Sequence, residues 1–180
     1  QKIAEFKNLY VSYGEGDALK GVSLEIDRLE HTAILGANGS GKSTLIKLFS
    51  NDIYPRVRPD SSKMLFGQER WSIFELKKRL GIITNDFHYY ALHTAPNISC
   101  FELVVSSFFS SVGIFESQEY DAEMIESAKA AIEHVGITAL SDKPLCEMST
   151  GELRKTLIAR ALALRPEALL LDEPTVGLDI

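Results

Sequence analysis

Two stretches of alternating apolar and polar side chains, Ile3 to Val11 and Ala18 to Ile26, flank the turn-forming run Gly14-Glu15-Gly16-Asp17. Period-two alternation on both sides of such a turn predicts two antiparallel strands. The short apolar run Thr32-Ala33-Ile34-Leu35 then precedes a glycine-rich segment, after which Leu45, Ile46, Leu48 and Phe49 recur at helical spacing. Strand, glycine loop and helix, the last over Ser43 to Phe49, are expected there in that order. Tyr54 to Ser62 carries Pro55 and Pro59 and predicts an irregular connection, followed by a short strand over Lys63 to Phe66 that ends at Gly67. Trp71 to Leu80 is expected to be helical, and Gly81-Ile82-Ile83-Thr84 to form a core strand.

The texture changes from Asp86 to Met148. Pro96 opens a stretch in which Ile98, Phe101, Val104, Val105 and Phe108 recur at helical spacing, and Asp121 to Val135 predicts a second amphipathic helix ended by Gly136. An inserted helical subdomain is the natural reading. The aromatic stripe Phe101, Phe108, Phe109 and Phe115 is expected to be core packing, with a partner-binding groove as the alternative. Ser149 to Leu164 resumes a helix, with Ser149 as N-cap and Glu152 three residues on as the other half of a capping box, and Arg165-Pro166 closes it. Ala168 to Leu171 is wholly apolar, the pattern of a strand buried on both faces of a parallel sheet. There is no internal repeat and no low-complexity tract.

Composition changes this picture little. The chain has 180 residues, 45% hydrophobic and 24% charged, ordinary for a globular domain of one lobe plus a small subdomain. A net charge of −6 without a long basic run argues against a protein that lives on nucleic acid. Lys77-Lys78-Arg79 is expected to be a solvated helix face. Cys100 and Cys146 share no metal-ligand spacing and are expected to be reduced and buried, as suits the cytosol. No stretch approaches the roughly eighteen apolar residues a membrane crossing needs, and the N-terminus is unlike a signal peptide, so a soluble chain is expected. It begins without a methionine and stops at Ile180 just after a loop of functional character, which leads us to expect a fragment of something longer.

The chemistry begins at Gly36. Gly36-Ala37-Asn38-Gly39-Ser40-Gly41-Lys42-Ser43 fits the pattern of glycine, four residues, Gly-Lys-Ser, which is a phosphate-binding loop. Glycines at 36, 39 and 41 let successive backbone N–H groups point inward as a cradle for anionic oxygens. Lys42 would reach the outer phosphates, Ser43 would place its hydroxyl on a magnesium ion, and the helix starting there adds its dipole. A phosphate loop alone says only nucleotide. Asp172 and Glu173, at the end of the late apolar strand, turn it into a hydrolase argument: Asp172 would hold magnesium through its water shell, and Glu173 would orient the attacking water. Asn85 stands at the carboxyl end of the strand Gly81 to Thr84, where ligand-facing groups of open α/β sheets lie.

These motifs, in this order, resemble the nucleotide-binding domain of ABC ATPases, and the resemblance covers essentially the whole chain. Gly36 to Ser43 match its Walker A loop, with Thr44 following, and Leu169-Leu170-Leu171-Asp172-Glu173-Pro174 match its Walker B strand and catalytic glutamate. Gly177-Leu178-Asp179 are similar to its D-loop. Met148-Ser149-Thr150-Gly151-Glu152 resembles the signature motif Leu-Ser-Gly-Gly-Gln, and Tyr13 occupies the place of the aromatic residue that stacks on adenine. There are departures. Thr150 and Glu152 replace a glycine and the glutamine, while Ser149 and Gly151, which in the family touch the terminal phosphate, are kept. Asn85 stands where the family has a glutamine that reaches the magnesium, and is a methylene shorter. The family's switch histidine has no counterpart, because His31, His88, His93 and His134 all precede the D-loop.

The resemblance implies an α/β P-loop NTPase with a RecA-like core, an N-terminal antiparallel β region and an inserted α-helical subdomain. Residues 1–86 and 149–180 would be the ATP-binding core, truncated at its C-terminus, and 87–148 the helical subdomain leading into the signature. ATP and Mg2+ are the implied cofactors. Glu173 and Lys42 would be catalytic. Tyr13, residues 36 to 44, Asn85, Ser149, Gly151 and Glu152 would contact nucleotide, and Ser43, Asp172 and Asn85 the metal. Two such domains would pack head to tail, each ATP lying between the loop of one and the signature of the other. The implied function is to energise solute transport through a membrane permease, from a cytoplasmic position at the inner face of the membrane. The alternative is a soluble ABC protein clamping nucleic acid, a ribosome or another macromolecule. Leu80 to Asn85 and Val104 to Phe115 are similar to the molybdenum-transport-like ATP-binding group. Lacking the histidine region, the fragment itself is expected to be a weak hydrolase at best.

Overall fold

Lys2–Tyr13 (β1) and Gly16–Asp27 (β2) pair antiparallel along their length, with Tyr13 opposite Gly16 at the turn. A computed structural model of the chain describes residues 2–14 and 16–172. The chain divides into two compact units, residues 1–76 and 77–180.

In the first unit Ser62–Leu65 (β3) joins the free edge of β1, giving a three-stranded sheet of order β2-β1-β3. Ala4 and Phe6, and then Leu9 and Val11, are buried at period-two spacing, and a register shift between Phe6 and Leu9 separates the two pairs. Lys42–Phe49 (α1) sets Leu45, Ile46, Leu48 and Phe49 on its buried side, and the Phe49 ring lies 4.8 Å from that of Phe6. Trp71 packs edge-on against Phe66 and donates its indole N–H to the Leu65 carbonyl at 2.9 Å.

One expectation fails here. Thr32 to Leu35 form no strand, and Ile34 and Leu35 are 38% and 91% exposed. An apolar run becomes a strand only by pairing its backbone, and among the described residues these groups join neither sheet.

The division between the units falls within Ile73–Arg79 (α2). In the second unit Leu80–Ile83 (β4) pairs in parallel with Ala168–Leu171 (β5), Leu80 opposite Ala168. Leu169 and Leu171 are nevertheless both 44% exposed, so β5 is covered on one side and not, as its composition predicts, on both. Arg79, expected in a solvated run, forms an ion pair with Glu167 beside this sheet.

Among the described residues of this unit the further α-helices are Asn85–Thr94 (α3), Cys100–Val105 (α4), Ala122–His134 (α5) and Thr150–Ala163 (α6). Ala128, Ala131 and Ile132 of α5 and Val104 and Val105 of α4 meet Ala159 and Ala163 of α6 in one core cluster. Small residues at the α5–α6 contact let the helices approach closely, and the Ser127 hydroxyl donates to the Ala163 carbonyl at 2.7 Å. A second cluster gathers Ile83, Leu103, Leu145, Leu153 and Leu157. Phe101 and Phe108 pack against the first cluster, but Phe115 is exposed, because it lies in an irregular segment beyond the helical spacing that carries the stripe inward. Cys100 is buried as expected; Cys146 is exposed, the short 3-10 turn Leu145–Glu147 turning Leu145 inward instead. No helix among the described residues is long and apolar enough to cross a membrane.

Candidate nucleotide-binding site

The glycine segment of the first unit turns tightly, Ser40 donating its N–H to the Ala37 carbonyl at 3.2 Å, and α1 starts at Lys42. Its N-cap, Gly41, has φ of +93°, and a Cβ there would lie 2.8 Å from the Ala18 carbonyl oxygen and 2.7 Å from Leu19 Cδ2. Only glycine fits both the dihedral and the space. A Cβ on Gly36 would meet Ser40 Oγ at 2.6 Å. With no side-chain cap and no acid in its first turn, α1 presents unpaired positive dipole at this end.

Lys42 bends back over the loop, donating to the carbonyl oxygens of Gly36 at 2.7 Å and Ala37 at 2.9 Å. A lysine ammonium within reach of loop carbonyls, at a helix start closed to side chains, fits a phosphate. Ala37, Asn38, Gly39, Ser40, Ser43 and Thr44 complete this segment. Tyr13, at the end of β1 in the same unit, is 53% exposed.

The other candidates lie in the second unit. Asn85 is the first residue of α3, whose N-cap Thr84 accepts the Phe87 N–H at 3.3 Å. Asp172 follows β5 and donates its N–H to the Ile83 carbonyl at 2.9 Å. Asn85 and Asp172 thus stand just beyond the carboxyl ends of β4 and β5, the ligand side of a parallel sheet. The structure joins them through a residue that motif reading passes over. Arg154 of α6 donates from Nη1 to Asn85 Oδ1 at 2.8 Å and from Nη2 to the Asp172 carbonyl at 2.9 Å. Burial first, and the Arg154 charge second, push the His88 imidazole below its ordinary range. A signal for Arg154 exists: it shares the buried stripe of α6 with Leu157 and Ala161, and a cation there requires acceptors.

Ser149 caps α6 as the spacing predicts. Its Oγ accepts the Glu152 N–H at 3.2 Å, and Glu152 Oε2 accepts the Ser149 N–H at 2.8 Å. Lys143, also invisible to motif reading, donates to the same carboxylate oxygen at 2.9 Å. Gly151, half-buried, lies in the first turn. Glu173, Pro174 and the segment Gly177-Leu178-Asp179 lie outside the described residues.

The donor types suit a hard cation: a hydroxyl at Ser43 and a carboxylate at Asp172 are oxygens of the kind Mg2+ takes. Asn85 differs, because its amide oxygen already faces a guanidinium. Among the described residues no three His, Cys, Asp or Glu side chains cluster as a metal site of their own.

Comparison with known proteins bears on this geometry. The family model described as ABC transporter matches residues 19–176. The chain is 33% identical over 177 residues to the phosphate import ATP-binding protein PstB of Pyrobaculum aerophilum, covering 96% of this chain and 69% of that protein. It is 33% identical over 178 residues to the ABC transporter ATP-binding protein ModF of Escherichia coli, covering 96% of this chain and 34% of that one. It is also similar to the solved structure of cbiO1 from Clostridium perfringens, described as part of the ABC transporter complex cbiONQ. The TM-score is 0.78 and the identity 32%, over 99% of this chain and 68% of that chain. With a phosphate loop at a glycine-capped helix, a capped signature-type helix and a matching family model over most of its length, the chain belongs to the ABC transporter family, as an ATP-binding domain.

Proposed function

We propose that this chain binds and hydrolyses ATP with Mg2+, in a head-to-tail pair with a second such domain, and that the pair energises transport through a membrane permease at the inner face of the membrane. The observation that carries this reading is the cradle at the start of α1, where Gly41 is sterically obligatory and Lys42 lies on two loop carbonyls. A terminal phosphate exchanges those neutral acceptors for anionic oxygens, a stronger pairing for an ammonium. Membership of cbiO1 in a transporter complex supports the permease part.

In this mechanism Tyr13 offers its exposed ring to adenine, and residues 36 to 44 hold the phosphates through backbone N–H groups and Lys42. Ser43 would offer its hydroxyl and Asp172 its carboxylate to Mg2+, which when bound would neutralise charge on the phosphate oxygens. Glu173 orients water for in-line attack. The Ser149 hydroxyl accepts from Glu152 and so keeps its own proton to donate to the nucleotide of the paired domain.

The test is binding of a fluorescent ATP analogue and ATP hydrolysis by the full-length parent and two variants. Lys42→Ala should lower affinity about tenfold or more, and unchanged affinity removes the loop assignment. Glu173→Gln should bind ATP, hydrolyse it poorly and dimerise more persistently; normal turnover puts the base elsewhere. Purification of the parent in detergent should bring down a polytopic membrane protein, and recovery of only soluble partners overturns the transport reading.

A further inference from the structure

We infer that Arg154 is the positioning residue that sets Asp172 for the metal ion of the bound nucleotide, and that Asn85 is the anchor of Arg154 and not a metal ligand. The inference rests on the ATP-binding reading above. Its starting point is that the Arg154 side chain, 2% exposed, spends its two terminal nitrogens on two separate segments, the start of α3 and the end of β5. A buried guanidinium is tolerated only when its donors are used, and its planar fork fixes the acceptors relative to one another.

The consequence for Asp172 is geometric. Its N–H is held by the Ile83 carbonyl on β4 and its carbonyl by Arg154, so both flanking peptide groups are pinned. Fixing both peptides fixes the direction in which the carboxylate leaves the backbone, which is what a metal-binding residue needs from its support.

The consequence for Asn85 is electrostatic. An amide oxygen at 2.8 Å from a guanidinium nitrogen has a cation on its accepting side. A divalent ion on that oxygen would face the like charge of the guanidinium in a poorly solvated place and would compete with it for the same acceptor.

Arg154 also stands five residues beyond Ser149 on the same helix. The signature end of α6, which addresses the nucleotide of the paired domain, is therefore rigidly linked to the residue that addresses the metal in its own. A shift of α6 moves both.

The experiment is a double-mutant cycle in the full-length parent with Asn85→Ala, Arg154→Gln and the pair, read two ways. The first reading is affinity for a fluorescent ATP analogue in Mg2+ and in EDTA. Arg154→Gln should weaken binding about tenfold in Mg2+ and hardly at all in EDTA, Asn85→Ala should follow it in the same direction, and the double variant should be no worse than the worse single. Loss of the Mg2+ effect in Asn85→Ala with Arg154→Gln unaffected, or losses that multiply, makes Asn85 the ligand and overturns the proposal. Arg154→Lys, which keeps the charge but has no fork, should recover only part of the affinity; full recovery also overturns it.

The second reading is unfolding without nucleotide, where the two substitutions should be non-additive by about tenfold in the unfolding constant. Additivity there dissolves the bridge. If the wild-type parent shows no Mg2+-dependent binding, the ATP reading falls, and the nucleotide-free cycle still decides whether Arg154 is coupled to Asn85.

Discussion

Lys143 donates to Oε2 of Glu152 at 2.9 Å, and that same oxygen accepts the backbone N–H of Ser149 at 2.8 Å. The acid that replaces the family's glutamine is thus turned onto its own chain, its charge met by a lysine. A carboxylate aimed outward at this helix end would repel any anion brought to it. Turned inward, it closes the first turn of α6 and leaves the dipole end open.

This pairing sets a pH dependence. Lys143 first, and the Ser149 backbone second, hold the Glu152 carboxyl below its ordinary range. A carboxyl lowered in the folded state contributes stability that is complete above its unfolded value, about 4.3, and is lost as the pH falls through the folded value. Lys143→Met should therefore melt below the wild type at neutral pH, with a gap that shrinks as the solution is acidified past about 4.3. Thermal unfolding across that range checks it, and a gap indifferent to pH would mean that the lysine acts through packing alone.

Two glycines of the phosphate loop should respond differently to one added methyl group. Gly39 has φ of +78° but nothing within 4 Å of an added Cβ, whereas Gly41 has φ of +93° and a backbone carbonyl at 2.8 Å. Gly39→Ala should cost only the dihedral, about 1 kcal/mol. Gly41→Ala has to displace β2 or the start of α1, so it should cost more stability and lose most nucleotide affinity. Denaturant midpoints and analogue binding for the two variants decide this; equal effects would show that the Ala18 contact yields easily.

What was legible in the chain follows from distance along it. The Ser149–Glu152 box, the helix predicted over Asp121 to Val135 and the turn between β1 and β2 are set by neighbours within a few residues, and each stands about where the spacing puts it. Arg154 was not legible as a site residue, since its acceptors lie 69 and 18 positions away. Ile34 and Leu35 show the opposite error. Their apolarity is a local property, but a strand is a pairing, and apolarity does not supply the partner. Cys146 and Phe115 likewise keep an apolar character that the backbone leaves outside.

Arg160 should prove intolerant of the substitution that preserves its charge. It is largely buried on α6, donating from Nη1 to the Leu103 carbonyl at 2.7 Å and Ser106 Oγ at 3.0 Å, and from Nη2 to the Ser111 carbonyl at 2.9 Å. Its guanidinium also lies 5.1 Å from the centre of the Phe87 ring. Lysine offers a single point donor to acceptors that a fork spans, so Arg160→Lys should leave at least one carbonyl unmet, at about 1–3 kcal/mol. Ser106→Ala, which removes one acceptor and strands nothing charged, should cost less. Chemical unfolding of both gives the order, and an Arg160→Lys protein as stable as the wild type would show that water reaches this site.

The last expectation concerns Lys63, whose amine donates to the Asn51 side-chain oxygen and sits 5.7 Å from the centre of the Tyr54 ring. Burial pushes this ammonium down to about 8, against the opposing pull of Asp52. Below that value folded and unfolded chains both carry the proton, and the desolvation cost of the charge is constant. Between about 8 and the unfolded value of about 10.4, the unfolded chain holds a proton that the folded one has released. Stability contributed here must therefore rise with pH. Other lysines titrate in the same window, so the comparison that isolates Lys63 is with Lys63→Met, which has no proton to release. Trp71 is the chain's single tryptophan and lies in the same unit, so its fluorescence follows the relevant transition. The wild-type denaturant midpoint should climb relative to the variant across that interval. Parallel curves would mean that the amine keeps its hydration, and that Asn51 and Tyr54 hold it as a solvated charge.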